Sequence, residues 1–411
     1  MSIEILSPAG NMEKLKTAVY FGADAVYFSG KNFGLRAFAG NFSEEEIAFA
    51  VQFCHEKNVK AYVTVNIVAH NKDFENLKEY LQCLEKLKVD GIIISDLGVM
   101  SFVKDYAPKL HIHVSTQANV TNKFSAKFLA DFGVKRIVLA RELTLSEIRE
   151  IREFLPKDVE LEAFVHGAMC ISYSGRCLLS NYLANRPSNN GQCIQACRWE
   201  YTINQVSRAN QKLPIEEDER GTYILNSKDL KMIEHLGELR EAGVTSFKIE
   251  GRMKSPYYVA TVTNAYVRAK KLLESGEKFD CPKELVNELE KTSHRDYTTG
   301  FSFKDKMKEE SENIFSSQPV QSFEFVAIVL ENAKKGKVLV EMRNRFAVSD
   351  TLEVLSPSNN FNKKIVVTGI ENFKGEELQE AIHVQEKLFL KTSLNLHAGD
   401  ILRKENTEIV S

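Results

Sequence analysis

Residues 61–94 read AYVTVNIVAHNKDFENLKEYLQCLEKLKVDGIII. The segment opens on an apolar run at 61–65 and ends on another at 91–94, with a helical stretch at 74–87 between them. Both runs are rich in Val, Ile or Tyr, as strands buried on two faces are. A helix joining two such strands makes them parallel, because it carries the chain back to the end at which it started.

The same unit recurs on either side. Further apolar runs lie at 4–6, 25–28, 111–114, 136–139, 161–165, 223–225 and 247–249, and further helical stretches at 43–57, 125–132 and 145–154. Ser43 with Glu46 has the pattern of a capping box. Phe21-Gly22-Ala23-Asp24, Phe132-Gly133-Val134-Lys135 and Ala242-Gly243-Val244-Thr245 each put a glycine where a helix gives way to a strand. Eight such units close into a barrel. Nine candidate strands are present, so one lies outside the barrel or is not a strand. The alternative is a doubly wound open sheet, but no glycine-rich phosphate turn follows any of the runs.

After 161–165 the rhythm breaks. The stretch 166–199 carries four cysteines and is followed by a polar excursion at 204–221. Long irregular insertions on a regular scaffold usually carry function. A polar stretch at 304–319 has the composition of a linker, and beyond it short alternating runs follow at 323–330, 337–341, 351–355, 364–368, 388–392 and 400–402. The expected fold is therefore α/β. It is a degenerate TIM-like (βα) barrel over 1–300 with a cysteine-bearing insertion at 166–221, a linker at 301–320, and a small C-terminal β-barrel domain at 321–411.

The chain has 411 residues, enough for two or three domains, with 43% hydrophobic and 27% charged residues. Its net charge of −2 argues against indiscriminate binding of nucleic acid but leaves room for a local basic face. The first residues lack a basic segment followed by an apolar one, and no apolar run is long enough to span a bilayer. A cytoplasmic protein with reduced thiols and no membrane partner is expected.

Cys170, Cys177, Cys193 and Cys197 are spaced C-x6-C-x15-C-x3-C. Seven cysteines spread evenly over 411 residues would put about half a cysteine in a window of this width, and it holds four. Their neighbours, among them Ser174, Gly175, Arg176, Asn189 and Asn190, are not those of an apolar core. Thiolates in such a loop suit a metal. Zinc and an iron–sulfur cluster both remain open on spacing, although only Cys193 and Cys197 form a short pair of the zinc-knuckle kind. Cys54, Cys83 and Cys281 lie in helical patterns, as bystanders do.

The run EAFVHGAMC at 162–170, continuing as SGRCLLS at 174–180 and QCIQACRW at 192–199, is very similar to the signature of the collagenase-like peptidase family U32. The resemblance extends to Leu6-Ser7-Pro8-Ala9-Gly10, Ser227-Lys228-Asp229, Lys248-Ile249-Glu250-Gly251-Arg252 and Arg343-Asn344-Arg345-Phe346, and so covers nearly the whole chain. It implies a TIM-like barrel with a 4Fe–4S cluster on Cys170, Cys177, Cys193 and Cys197. The architecture resembles the branch that converts the wobble uridine of tRNA to 5-hydroxyuridine with prephenate as co-substrate. The resemblance thus implies an iron–sulfur RNA hydroxylase whose partners are the tRNA anticodon arm and a small anionic co-substrate. Hydroxylation of another RNA or of a quinone precursor, and a peptidase acting on collagen-like proteins, are the alternatives.

In a βα barrel the active site lies at the C-terminal ends of the strands. The polar residues there are Ser7, Ser29, Asn66, Asp96, Ser115, Thr116, Gln117, Arg141, Glu142, His166, Asn226, Glu250 and Arg252. His166 is the candidate acid–base residue, four positions from Cys170. Glu250 is a second, either as a base or as a group orienting Arg252. A dianionic co-substrate needs guanidinium or amide donors. Arg36, Arg141, Arg176, Arg198 and Arg252 are candidates, with Arg176 and Arg252 favoured by position, and Gln117 supplies an amide. Lys334, Lys335, Arg343, Arg345, Lys363 and Lys364 could meet RNA phosphates. Protease motifs of the H-E-x-x-H or G-x-S-x-G kind are absent from the sequence.

Overall fold

Eight of the nine apolar runs become the staves of one closed barrel in the computed structural model. The structure describes residues 2–34, 41–169, 179–184, 194, 217–218, 221–222, 228–276, 278–303 and 320–406. The staves are β1 (Glu4–Pro8), β2 (Ala25–Ser29), β3 (Lys60–Thr64), β4 (Gly91–Ile94), β5 (Ile112–Val114), β6 (Arg136–Val138), β7 (Glu160–Ala168) and β11 (Ser246–Ile249). All neighbours are parallel, and β11 closes the ring by pairing with both β1 and β7. The ninth run, 223–225, lies outside the described residues. Two short hairpin strands, β8 (Glu217–Asp218) and β9 (Gly221–Thr222), precede it.

Helices α1 (Met12–Tyr20), α2 (Glu44–Glu56), α3 (Leu77–Lys86), α4 (Leu97–Tyr106), α5 (Lys123–Phe132) and α6 (Leu145–Phe154) follow the first six staves in turn. Ser43 caps α2 as a capping box with Glu46, and Thr144 with Glu147 repeats the device on α6. Gly22, Gly133 and Gly243 all take positive φ before a stave. At Gly243 a Cβ would also stand 2.3 Å from the Arg152 side chain, so space and conformation both require glycine there. Helix α7 (Leu179–Ala184) lies in the insertion; α8 (Leu236–Glu241) precedes the eighth stave and α9 (Pro256–Glu274) follows it.

Strand β10 (Asp229–Lys231) was not foreseen. It pairs antiparallel with the far end of β7 and parallel with β12 (Tyr297–Thr298), so it extends one wall above the rim of the barrel. Three residues of mixed polarity give no periodic signal. Where β7 meets β11, Lys248 pairs with Phe164 but Ile249 pairs with His166, so β7 carries one extra residue. That bulge breaks the inward alternation just before the insertion.

Helix α10 (Lys283–Leu289) leads towards the C-terminal domain. Its strands are β13 (Phe323–Val329), β14 (Lys337–Met342), β15 (Phe346–Ala347), β16 (Thr351–Leu355), β17 (Lys364–Val366), β18 (Ile370–Glu371), β19 (Glu377–Leu378), β20 (Glu380–Ala381), β21 (Lys387–Lys391) and β22 (Ile401–Glu405). Eight form an antiparallel sheet in the order β17-β16-β22-β13-β14-β21-β18-β19. Residues from nearly its full width, Ile365 to Ile370, share one core, so the sheet curls round its own interior. The six runs expected from the sequence are all strands. Phe323, Leu355 and Ile401 then pack on Phe21, Tyr257 and Ala260 of the barrel.

Candidate active site

Two apolar cores account for the barrel. The larger lies between staves and helices. The smaller fills the lumen with only Leu6, Ala25, Tyr27, Tyr62 and Ile93. Among the described residues, much of the rest of the lumen is polar or charged, where most barrels use branched apolar residues. Arg136, 2% exposed, donates to Glu4 (2.5 Å), Glu160 (2.6 Å), Glu162 (3.0 Å) and the Ser246 hydroxyl (3.2 Å). Tyr62 donates to Glu4 at 2.8 Å. Burial raises the Glu4 carboxyl, but Arg136, Lys60 and Tyr62 outweigh it and hold the group at about 2. Charges this deep persist only when paired and hydrogen-bonded. These residues sit at the starts of their strands and form the floor.

Above the floor stands Lys248, which donates to Glu162 at 2.7 Å. Its ammonium lies 4.5 Å from the Tyr27 ring centre and 5.4 Å from that of Phe164. Burial lowers its pKa, and Glu162 opposes the shift. Phe164 is half-buried and carries the Arg141 guanidinium on its ring at 4.0 Å. Arg141 donates to the Ala168 carbonyl at 2.7 Å and lies 3.7 Å from Glu250. Arg252, 4% exposed, reaches from the loop after the eighth stave to Thr64 on the third, at 3.2 Å. Its backbone is gripped by the first loop: Lys14 donates to the Arg252 carbonyl at 3.2 Å, and a Cβ on Gly10 would stand 2.1 Å from that oxygen. Asn66 donates to Gln117 at 2.8 Å, joining the tips of the third and fifth staves.

The structure therefore brings Arg141, Glu250, Arg252 and Gln117 to one end of the barrel, the end where the strands finish. Other candidates have structural work. Ser7 faces outward and bonds Thr263 of α9 at 2.7 Å. Asp96 caps α4. Glu142 keeps an unbonded buried oxygen, and burial raises its pKa.

His166 stands behind the rim. It is 1% exposed and boxed by Tyr258, Tyr266 and Tyr297, with ring centres 5.9, 5.6 and 5.5 Å away. Tyr258 and Tyr266 belong to α9, outside the barrel, so the β7 bulge has turned His166 away from the lumen. Burial, assisted by His294, Lys254 and Lys231, pushes its pKa down to about 3. The imidazole is neutral at ordinary pH. Lys248, Phe164 and Thr64 were missed; the one available signal was a lysine inside the apolar run 247–249.

Cys170, Cys177, Cys193 and Cys197, with Arg36, Arg176, Arg198 and Asn226, lie outside the described residues. Two flanking observations bear on the cysteines. Strand β7 delivers the chain to Met169, one residue before Cys170, at the rim. Ile194, next to Cys193, donates its N–H to the Ser180 hydroxyl, three residues after Cys177, at 3.1 Å. That hydrogen bond ties Ile194 to Ser180 of helix α7. Among the described residues no group of three or more His, Cys, Asp and Glu is placed to hold a metal ion. No described helix is long and apolar enough to cross a membrane.

Comparison with known proteins agrees with this architecture. Residues 10–312 match Peptidase family U32, and residues 321–403 match the Peptidase family U32 C-terminal domain. The chain is 39% identical to tRNA hydroxylation protein P1 of Bacillus subtilis over 407 residues, covering 98% of this chain and 94% of that protein. It is 35% identical to tRNA hydroxylation protein P of Escherichia coli over 414 residues, covering 91% and 90%. It is also 36% identical to a collagenase of Porphyromonas gingivalis over 276 residues, covering 65% of each chain. With both modules matched and these identities sustained over nearly its full length, the chain belongs to peptidase family U32.

Proposed function

We propose that this chain is an RNA hydroxylase that converts the wobble uridine of tRNA to 5-hydroxyuridine, with prephenate as co-substrate. The observation that carries this reading is the likeness, over nearly the whole length of each partner, to two tRNA hydroxylation proteins. The barrel mouth supports it chemically. Arg252 and Arg141 offer guanidinium donors for the carboxylates of a small dianion. Gln117 and Asn66 present carboxamides suited to the edge of an unstacked base.

Cys170, Cys177, Cys193 and Cys197 would hold a 4Fe–4S cluster, for which four thiolates on one insertion are the right donor set. When bound, such a cluster supplies one-electron chemistry. Glu250, beside Arg141 at the rim, would take a proton in this reading. His166, held neutral, can relay a hydrogen bond but not carry a charge. The anticodon arm would approach in the cytoplasm across the rim and the β-domain. Arg343 is withdrawn from that contact by its ion pairs with Glu13 and Glu341, whereas Arg345, paired with Glu380, is largely exposed.

The test is a deletion strain. Its tRNA hydrolysate should lack 5-hydroxyuridine derivatives by mass spectrometry, with recovery on complementation; unchanged levels would overturn the proposal. The second reading, a peptidase, is favoured by the likeness to the collagenase. Peptide cleavage by purified protein that survives removal of the cluster would support it.

A further inference from the structure

We propose that Lys248 is a nucleophile that binds a 2-oxo acid covalently, as an iminium, just above the charged floor of the barrel. The inference rests on the barrel mouth being the active site, and it names the bond that would hold the anionic co-substrate.

The position is unusual for a structural lysine. Lys248 lies in the centre of the eighth stave and faces the lumen, opposite Phe164 in register. Everything below it is closed by the network of Arg136, Glu4 and Glu162. Lys248 is itself 4% exposed, and at its level Phe164 is half-buried, whereas Leu161 and Glu162 beneath it are fully covered. An ammonium has three N–H donors, and among the described residues Lys248 uses one, on Glu162. Its ammonium also faces the rings of Tyr27 and Phe164, with the charges of Glu250 and Arg136 close enough to act on it. A purely structural cation this deep would be expected to have its donors filled. Desolvation also favours the neutral amine, the reactive form. Towards the rim are Arg141, stacked on the same Phe164 ring, and Arg252, four residues along the chain and reaching to Thr64, both suited to a carboxylate.

The step balances without an oxidant. Lys248 passes one proton to Glu162, and the freed electron pair forms a C–N bond to the keto carbon. The carbonyl oxygen takes that proton back and a second from nitrogen, and leaves as water. The product is an iminium cation beside the Glu162 carboxylate, so the charge of the site is unchanged. Prephenate carries such a 2-oxo acid side chain, and pyruvate is the simplest probe of the chemistry.

The experiment is reductive trapping on the full chain. Protein incubated with pyruvate and cyanoborohydride should gain the mass of pyruvic acid less one oxygen, and peptide mapping should put the adduct on Lys248. Lys248→Arg retains the cation and its pairing with Glu162 and should lose the adduct. An adduct absent from the wild type, or mapped to other lysines and unchanged in Lys248→Arg, would overturn the proposal and leave Lys248 a structural cation. Mapping on the wild type keeps the test decisive should the variant fold poorly. Failure here with intact tRNA hydroxylation removes only this step; trapping in a chain whose deletion leaves 5-hydroxyuridine unchanged removes only the tRNA assignment.

Discussion

Arg403 of the β-domain and Glu288 of α10 form a two-point ion pair at 2.6 and 2.8 Å, with neither side chain exposed. Arg403 also holds Glu353 at 2.6 Å and the Asn362 carboxamide oxygen at 2.8 Å, and Lys291 joins Glu353 at 2.6 Å. Tyr20 adds a hydrogen bond to Asp400 at 2.8 Å. The two modules are therefore joined by a buried polar network as well as by the apolar contact around Phe323 and Tyr257. The joint fixes where the β-domain stands relative to the barrel mouth.

Removing one partner of that pair strands a buried charge. Glu288→Ala should cost about 3–5 kcal/mol, whereas a double change that replaces both partners with apolar groups should cost much less. Urea unfolding of the single and double variants measures the difference. Equal losses would mean that the pair itself, and not the stranded charge, sets the effect.

The lumen gives the protein an acid limit. Glu4 has a folded pKa of about 2 against an ordinary 4.5, a depressed value. Its contribution to stability is therefore present above pH 4.5 and is lost as pH falls from there towards 2. Glu4→Gln should be less stable at neutral pH and should show a flatter stability profile in that window. Chemical denaturation at a series of pH values checks this, and a profile parallel to the wild type would count against the charged floor.

A second window belongs to the histidines. His166 is pushed from 6.5 to about 3, and burial pushes His113 well down as well. Both stay neutral in the fold but take a proton in the unfolded chain once pH drops below 6.5. Their contribution is present above 6.5 and is lost as pH falls, by about 1.4 kcal/mol per pH unit for each group fully engaged. His166→Phe should remove one of these two slopes. Denaturation between pH 6.5 and 4.5, above the Glu4 window, isolates it.

Much of this was legible in the sequence and some was not, for physical reasons. Staves such as 25–28 and 91–94 announce themselves because burial on two faces demands unbroken apolar runs. The glycines before them were legible because few other residues end a helix in a left-handed turn. The rim residues Arg141, Gln117, Glu250 and Arg252 followed from counting strand ends. What failed was parity. Ser7 sits at a strand end but faces α9, and the extra residue in β7 turns His166 to the outside of the wall. Lys248 was hidden because an inward charge inside an apolar run looks like noise until the barrel closes around Glu162. Strand β10 is held by pairing with β7 and not by its own pattern.

Arg252 should matter to binding more than to folding. Its guanidinium spans the mouth to Thr64, and a charged hydrogen bond to a carboxylate contributes about 1.5–3 kcal/mol. Arg252→Met should raise the KM for the anionic co-substrate roughly 10- to 150-fold, with a smaller change in kcat. Steady-state kinetics on undermodified tRNA make the measurement. A change confined to kcat would place Arg252 in the chemistry and not in co-substrate binding.

The insertion offers the sharpest chemical test. Protein purified without oxygen should contain about four irons per chain, the content of one 4Fe–4S cluster. It should also absorb in the visible range. Cys193→Ser should lose most of the iron, because a serine hydroxyl is a poor replacement for a thiolate ligand. Cys54→Ser should retain it, since Cys54 is buried on α2, a helix of the outer barrel. Elemental analysis beside the optical and EPR spectra separates the cluster from zinc. Zinc without iron in the wild type would overturn the cluster and leave the four cysteines as ligands of a structural metal. Iron retained in Cys193→Ser but lost in Cys54→Ser would move the centre out of the insertion altogether.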